Sequence, residues 1–455
     1  MVKVLAINSK KEINFFRRLT PSQILVLGFA GVILLGTVLL MLPISTKDGT
    51  VTPFLDALFT ATSAVCVTGL VVVDTGTYWS LFGQIVILLL IQVGGLGFMT
   101  VATLFAILLG RRINLRERIV IQEALNQASL EGIIKLTKQV ILFTFSIEGV
   151  FAVILGLRFS LDYGFIKGMW FGIFHAVSAF NNAGFDLMGN FKSLTPYVGD
   201  VIVNLSIAIL IITGGIGFYV ISELFNLRKK GRLSLHSKIT LMTTGLLLLL
   251  GTVVIFVMEY NNDKTLGALP FGQKILAAFF QAVTPRTAGF NTVDIAALHP
   301  ATQYFIIILM FIGASPGSTG GGVKTTTFAV LTLAVINIIL GRDEILVYNR
   351  RLPREQIFKA IAIVMISLSL INIVTFILTF TEGHNILMNM FETVSAFGTV
   401  GLSMGLTPEL SELGRILIIL MMFFGRVGPL TITYALAQRR KKALFTLPEE
   451  KVMVG

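Results

Sequence analysis

TVSAFGTVGL, residues 393–402, decides how this chain is read, because it is the fourth appearance of one pattern. The earlier three are ATSAVCVTGL (61–70), AVSAFNNAGF (176–185) and AVTPRTAGF (282–290). Each runs from small and hydroxyl residues through a short segment to a glycine followed by Leu or Phe. The glycines are Gly69, Gly184, Gly289 and Gly401, separated by 115, 105 and 112 residues. The third copy is one residue short between its hydroxyl residue and its glycine, and it alone contains Pro285 and Arg286. Self-similarity at a near-constant period marks a chain built from repeated units.

The flanks repeat as well. A long apolar segment precedes each motif (24–42, 139–157, 239–258, 360–380), and a shorter one leads into it (53–64, 168–180, 271–283, 385–396). Another long segment follows (81–109, 200–226, 301–340, 413–437). A helix of about 12 residues rises only about 18 Å, too little for a hydrocarbon core of about 30 Å. Each unit therefore reads as a helix, a half-helix that dips in from one side, a return loop and a helix. The predicted fold is an all-α polytopic membrane protein of four M1–pore-helix–M2 repeats. They would stand in a pseudo-fourfold arrangement around one central pore, with eight full transmembrane helices.

Composition agrees with membrane residence. The chain of 455 residues is 55% hydrophobic and 13% charged, with a mean hydropathy of +0.85; soluble domains carry about 25% charged residues. The net charge of +12 suggests nucleic-acid binding only until its placement is read. Of the 36 Lys and Arg, 26 lie in 1–22, 111–138, 228–238, 342–359 and 439–455. The alternating segments 44–80, 158–199, 261–300 and 381–412 hold 7. That asymmetry is the positive-inside signature and predicts both termini and three loops in the cytoplasm. The implied division is a cytoplasmic N-terminus (1–22), a first unit (23–110) and a loop with the second unit (111–227). A loop with the third unit (228–341), a loop with the fourth (342–438) and a cytoplasmic tail (439–455) complete it. No basic loop is long enough for a separate domain. Residues 24–42 are a full-length apolar run ending at Pro43 and read as a first span rather than a cleaved signal. The single cysteine, Cys66, excludes an internal disulfide.

Irregular backbone at membrane depth is tolerated where it lines a water-filled path. Glycine reaches positive φ without a Cβ clash, so four return loops facing one axis can aim their carbonyls at it and replace an ion's hydration shell. The half-helices would point their partly negative C-terminal ends the same way, favouring a cation. The motifs lack Asp and Glu, which disfavours divalent ions that want carboxylate oxygens. A dehydrated monovalent cation fits. The candidate filter is Val67, Thr68 and Gly69; Asn182, Ala183 and Gly184; Thr287, Ala288 and Gly289; and Thr399, Val400 and Gly401.

On QAVTPRTAGFNT (281–292), SAFNNAGFD (178–186), GASPGSTGGGVKTTT (313–327) and GRVGPLT (425–431), the chain resembles the Trk/Ktr/HKT superfamily of potassium transporters. The resemblance covers about residues 17–442. It implies a homodimer with one pore per protomer, docked on a cytoplasmic ring of RCK-type nucleotide-binding regulatory subunits. Nucleotide (ATP or ADP) would then bind the partner, with no cofactor in this chain. In plant relatives a serine at the first filter position goes with sodium preference. Glycine at Gly69 and in the other three copies implies K+ held at the carbonyls of Gly69, Gly184, Gly289 and Gly401, with Na+ as an activator.

GASPGSTGGGVKTTT looks like a phosphate-binding loop, but Val323 separates glycine from Lys324 where that motif needs them adjacent. Apolar residues flank it on both sides. As one helix, 301–340 would be about 60 Å long, twice the hydrocarbon thickness; Pro316 and five glycines between 313 and 322 mark the break. The loop must lie within the membrane, beside or below the filter. Gly313, Ala314, Ser315, Pro316, Gly317, Ser318, Thr319, Gly320, Gly321, Gly322 and Lys324 are the candidate gate (313–325), with a static plug as the alternative; the resemblance implies a gate linked to the regulatory ring.

Buried charge supplies the other candidates. Arg426, in MFFGRVGPL, aligns with Gly94–Gly97 and Gly214–Gly217 and would set a positive charge below the filter; a structural pairing with a carbonyl or an acid is the alternative. Glu148 lies mid-span, and a pairing with Lys324 stays open. Glu392 and His175 stand three residues before Ser395 and Ser178 and suit support of the filter from behind. His236, His299 and His384 are loop residues without metal-ligand spacing. The reading is a potassium-uptake subunit rather than an enzyme. A tightly coupled sodium–potassium symporter and a membrane phosphotransferase using 313–327 are the alternatives.

Overall fold

Residues 19–109, 113–125, 132–342 and 344–436 are described by a computed structural model. The basic runs at 1–18 and 437–455 lie outside the described residues.

Each unit begins with a long helix: α1 (Pro21–Met41), α6 (Ile133–Tyr163), α10 (Leu235–Glu259) and α14 (Arg354–Thr381). These four are long and apolar enough to cross a membrane. Thr20 starts α1 with a capping box to Gln23, and Pro21 occupies the first turn, where its missing N–H costs no hydrogen bond. The short helices follow: α2 (Phe54–Val65), α7 (Phe165–Phe180), α11 (Phe271–Val283) and α15 (Ile386–Gly398). Phe59, Phe174, Phe280 and Phe391 each stand four residues before the hydroxyl residue of the motif, and all four are fully buried. Four residues is one helical turn, so ring and hydroxyl share a face. All four rings belong to one continuous buried apolar cluster that holds the half-helices together.

The second helices of the first, second and fourth units depart from expectation, while the third breaks as expected. None of the four is an uninterrupted span. The first divides into α3 (Leu81–Leu96) and α4 (Phe98–Leu108), bent by 97°, and the second into α8 (Val201–Ile216) and α9 (Phe218–Phe225), bent by 100°. The third divides into α12 (Pro300–Phe311) and α13 (Thr325–Ile339) around the glycine-rich loop, and the fourth into α16 (Glu412–Val427) and α17 (Pro429–Leu436). Gly97, Gly217 and Gly428 occupy three of the breaks with φ of 78°, 102° and 91°. Ser80, Asp200 and Ser411 cap α3, α8 and α16 by accepting from the third amide of each helix, so these helices begin alike as well as end alike. Smaller elements in the basic segments include α5 (Leu115–Ala124), capped by Asn114, and a hairpin of β1 (Leu346–Val347) and β2 (Arg350–Arg351).

Contacts between units run in chain order and close on themselves. Asp74 accepts from the Phe191 amide at 2.7 Å, and the Leu194 amide donates to Asn291 O at 3.0 Å. Helix α12 packs on α15. Arg415 on α16 pairs with Asp56 on α2 at 2.5 Å, joining the last unit to the first.

Candidate functional site: four return loops over a glycine-rich bar

The return loops share one backbone course. Val67, Asn182, Thr287 and Thr399 have φ of 53°, 56°, 70° and 51°; two residues later Gly69, Gly184, Gly289 and Gly401 have φ of 90°, 70°, 82° and 90°. Left-handed conformations at alternate positions turn successive carbonyls to one side, an arrangement that glycine adopts without strain. The hydroxyl residues brace this course from the helix end. Thr68, Ala183 and Val400 donate their amides to the carbonyls of Ser63, Ser178 and Ser395 at 2.8 Å, five residues back. Gly69 and Gly401 donate to the hydroxyls of Ser63 and Ser395 at 3.1 Å. The shortened third copy closes over four residues instead, from Ala288 N to Thr284 O at 2.9 Å, and the Thr284 hydroxyl donates to Phe290 O at 2.5 Å.

The glycines meet in a ring. A Cβ on Gly69 would strike the carbonyl oxygen of Ala183, on Gly184 that of Ala288, on Gly289 that of Val400, and on Gly401 that of Thr68. Each missing side chain is thus filled by backbone of the following unit, and the fourth leans on the first. His175 and Glu392 hold the far side of two loops. His175 Nδ1 lies 2.7 Å from Phe171 O, and its Nε2 lies 3.5 Å from the Leu187 amide. Glu392 accepts from Ser403 at 2.8 Å and from Thr407. His236 lies in the first turn of α10 rather than in a loop, whereas the His299 amide donates to Glu259 and His384 lies 3.6 Å from Glu409.

Residues 313–324 form a bar across the inner ends of three loops, and the broken helices explain how its backbone is satisfied. A helix leaves its last carbonyls without intrahelical donors, and buried backbone groups require partners. The Ser315 amide donates to Gly215 O at 2.9 Å and the Thr319 amide to Gly214 O at 3.2 Å, both in the last turn of α8. The Gly322 amide donates to Gly425 O at 3.3 Å on α16. The Phe218 amide, freed by the break at Gly217, donates to Gly317 O at 2.8 Å. Arg426 supplies the connection to the first unit: Nη1 donates to Thr319 O, while Nη2 donates to Gly94 O and, at 3.1 Å, to Gly95 O. The bar touches the loops above it through Thr319, whose hydroxyl lies 3.2 Å from both Phe180 O and Asn182 Oδ1, and through the Gly321 amide, 3.0 Å from Thr399 Oγ1. A cavity of about 870 Å³ opens beside the bar, reached by Ser318, Lys324, Arg426 and the first residues of α4, α9 and α17.

The pairing of Lys324 with Glu148 does not form. Lys324 Nζ folds back onto the bar, donating to Gly320 O at 2.7 Å and Gly321 O at 3.3 Å. Glu148 accepts instead from Asn181 Nδ2 at 2.9 Å and Gln92 Nε2 at 3.3 Å, behind the second loop. Amide donors from neighbouring helices reach Glu148 before a lysine tethered to the bar can. Arg286, buried in the third loop, donates to Ile312 O at 3.4 Å, at the start of the bar. The parts that sequence reading missed are the breaks at Gly97, Gly217 and Gly428 and the carbonyls they free; the recurring GGLGF (94–98), GGIGF (214–218) and GRVGP (425–429) carried the signal.

The family model for TrkH, described as a cation transport protein, matches residues 1–444. The chain is 48% identical to Ktr system potassium uptake protein B of Bacillus subtilis, over 98% of this chain and 99% of that one. It is 41% identical to the protein of the same name from Vibrio alginolyticus, over 95% and 94%. Identity to the potassium/sodium uptake protein NtpJ of Enterococcus hirae is 40%, over 98% and 99%. Among solved structures, the potassium transporter TrkH of Vibrio parahaemolyticus shares the fold, with a TM-score of 0.70 at 19% identity over 90% of this chain and 84% of that one. The chain is a membrane transport protein rather than an enzyme, and it belongs to the TrkH family of cation transport proteins.

Proposed function

We propose that this chain takes potassium into a bacterial cell through a channel-like pore. The four loops from Val67, Asn182, Thr287 and Thr399 to their glycines form its selectivity filter, and the bar, together with Thr325 at the start of α13 (313–325), is its gate. The observation that carries the reading is the closed ring of Gly69, Gly184, Gly289 and Gly401, in which each loop rests on the next. Backbone carbonyls aimed at one axis can replace the hydration shell of a monovalent cation. Potassium is the assignment because relatives of 48% and 41% identity carry potassium uptake in their names. The hydrogen bonds of the bar to α8 and α16, and through Arg426 to α3, suit a closed gate made of small residues that can leave without large packing loss.

Two further parts belong to this proposal. The chain works as a homodimer, with both termini cytoplasmic, and a separate cytoplasmic nucleotide-binding subunit of RCK type moves the gate. The phrase "Ktr system" in the relatives' names supports a second component. Sodium stimulates uptake, and the potassium/sodium wording for the Enterococcus hirae relative favours either that or a tightly coupled symport. Potassium flux driven uphill by a sodium gradient alone would select symport.

The test is cation flux into liposomes carrying the purified chain, for wild type, Gly401→Ser and a deletion of 314–320. Potassium should exceed sodium in wild type, Gly401→Ser should lose that preference, and the deletion should raise flux. A folded deletion variant with unchanged flux would reject the gate. Equal sodium and potassium flux in wild type would reject the filter.

A further inference from the structure

Four residues form the inner corners of the filter loops: Val67, Asn182, Thr287 and Thr399. Three of them carry a side-chain oxygen, and all three oxygens are fully buried and already engaged. Asn182 Oδ1 accepts from the Thr319 hydroxyl at 3.2 Å. Thr399 Oγ1 accepts from the Gly321 amide at 3.0 Å. Thr287 Oγ1 accepts from Asn182 Nδ2 at 3.1 Å, and a Cβ on Gly320 would fall onto it. Three successive residues of the bar, Thr319, Gly320 and Gly321, therefore cover three successive corners of the ring. The fourth corner, Val67, offers no oxygen, and no residue of the bar bonds to it among the described hydrogen bonds.

We infer that the bar and a potassium ion compete for the side-chain oxygens of Asn182 and Thr399, with Gly320 covering that of Thr287, so that ion occupancy at the inner end of the filter itself opposes closure. This rests on the filter-and-gate reading above and adds to it a direct linkage between permeant ion and gate. Hydroxyl and amide oxygens of this kind have two lone pairs, but the Thr319 O–H and the Gly321 N–H point partial positive charge at the positions a cation would occupy. An ion that takes those oxygens must displace the donors; a bar that restores the donors must expel the ion. Linkage makes the effect reciprocal. The apparent affinity for potassium is the intrinsic affinity reduced by the fraction of molecules whose bar is withdrawn. Potassium thus acts as an opening ligand before any regulatory subunit is considered, and the regulator tips a balance that the ion already sets.

The experiment follows thermal unfolding of the full-length protein in detergent as potassium, sodium or choline is titrated at constant ionic strength. Wild type is compared with Thr319→Ala and Thr319→Ser. Removing the Thr319 hydroxyl weakens the closed state alone, so Thr319→Ala should reach half of its potassium stabilisation at a concentration about two- to tenfold lower. Thr319→Ser keeps the hydroxyl and should return to the wild-type midpoint. A potassium-specific stabilisation with the same midpoint in wild type and Thr319→Ala would overturn the competition while leaving the filter intact. Stabilisation no greater with potassium than with choline would remove the filter reading and the competition together. A readout that needs no variant is amide exchange in wild type: potassium should speed exchange at Gly321, and unchanged or slower exchange there sinks the inference.

Discussion

Replacing Arg426 by glutamine or by lysine separates two things a guanidinium can do at this point. As a tie, it spans the bar and the first unit, with Nη1 on Thr319 O and Nη2 on Gly94 O and Gly95 O. As a fixed charge, it lowers the chance that a cation dwells beside it. Only the bond to Thr319 reports on the bar, since the other two anchor the arginine to α3. A hydrogen bond from a charged donor contributes about 1.5–3 kcal/mol, and each 1.4 kcal/mol is a factor of ten. Loss of the tie should therefore raise the open-to-closed ratio about 10- to 150-fold, up to the point where nearly all molecules are open. Lysine retains the charge, but one ammonium cannot bridge carbonyls on two elements as a planar fork does. If the tie dominates, both variants should raise potassium flux into liposomes to a similar extent. If charge dominates, lysine should resemble wild type and only glutamine should differ. A folded glutamine variant with wild-type or lower flux would refute both arguments.

Two further substitutions test the broken helices and the outer loops. Gly217→Ala places a Cβ 2.6 Å from Pro316 O at a φ of 102°, whereas Gly97→Ala at a φ of 78° meets nothing within 4 Å. Both pair a positive φ with a ψ of 134° and 130°, a combination nearly exclusive to glycine that strains alanine by about 1–3 kcal/mol, but only Gly217→Ala should displace the bar, so it alone should raise flux; equal flux in the two would deny that Gly217 seats the bar. Glu382, just beyond α14, accepts from the Ser411 amide at 2.9 Å and the Ser411 hydroxyl at 2.6 Å. Its burial works to raise its pKa, but the bonds from Ser411 and Thr381 prevail and hold it below the usual carboxylate value. A depressed folded pKa gives stability that is present above the unfolded value of about 4.3 and is lost as pH falls through the folded one. Glu382→Gln should therefore lower the unfolding temperature at neutral pH and shrink the difference from wild type below about pH 4; a difference that persists undiminished in acid would contradict this.

The four loops were legible because their requirements are local. A hydroxyl five or six residues before a glycine, on a helix too short to span, specifies a brace and a left-handed turn whichever unit contains it. The break within 301–340 was legible for a similar reason, since its length alone forbids one helix. The other breaks were hidden in segments that are apolar throughout, where 81–109 and 200–226 give no loss of hydropathy at Gly97 or Gly217. Their cause is non-local: the helices turn where the bar from the third unit, or Arg426 from the fourth, needs their last carbonyls. The partner of Lys324 was out of reach for the opposite reason. Its acceptors, Gly320 O and Gly321 O, are backbone groups whose direction depends on how the bar folds. Sequence can name a buried charge, but not which carbonyl turns to meet it.

The one-way order in which the glycines lean on their neighbours has a consequence for genetics. Gly69 rests on the second loop, Gly184 on the third, Gly289 on the fourth and Gly401 on the first. Beyond the strain at its own positive φ, an added side chain therefore presses first on the loop that follows it. Second-site suppressors of a lesion at Gly184 should collect around Thr287–Gly289 rather than around Val67–Gly69, and those of a lesion at Gly401 around Val67–Gly69. Heredity in this ring of loops should run with a handedness, each loop inheriting the faults of the one before it.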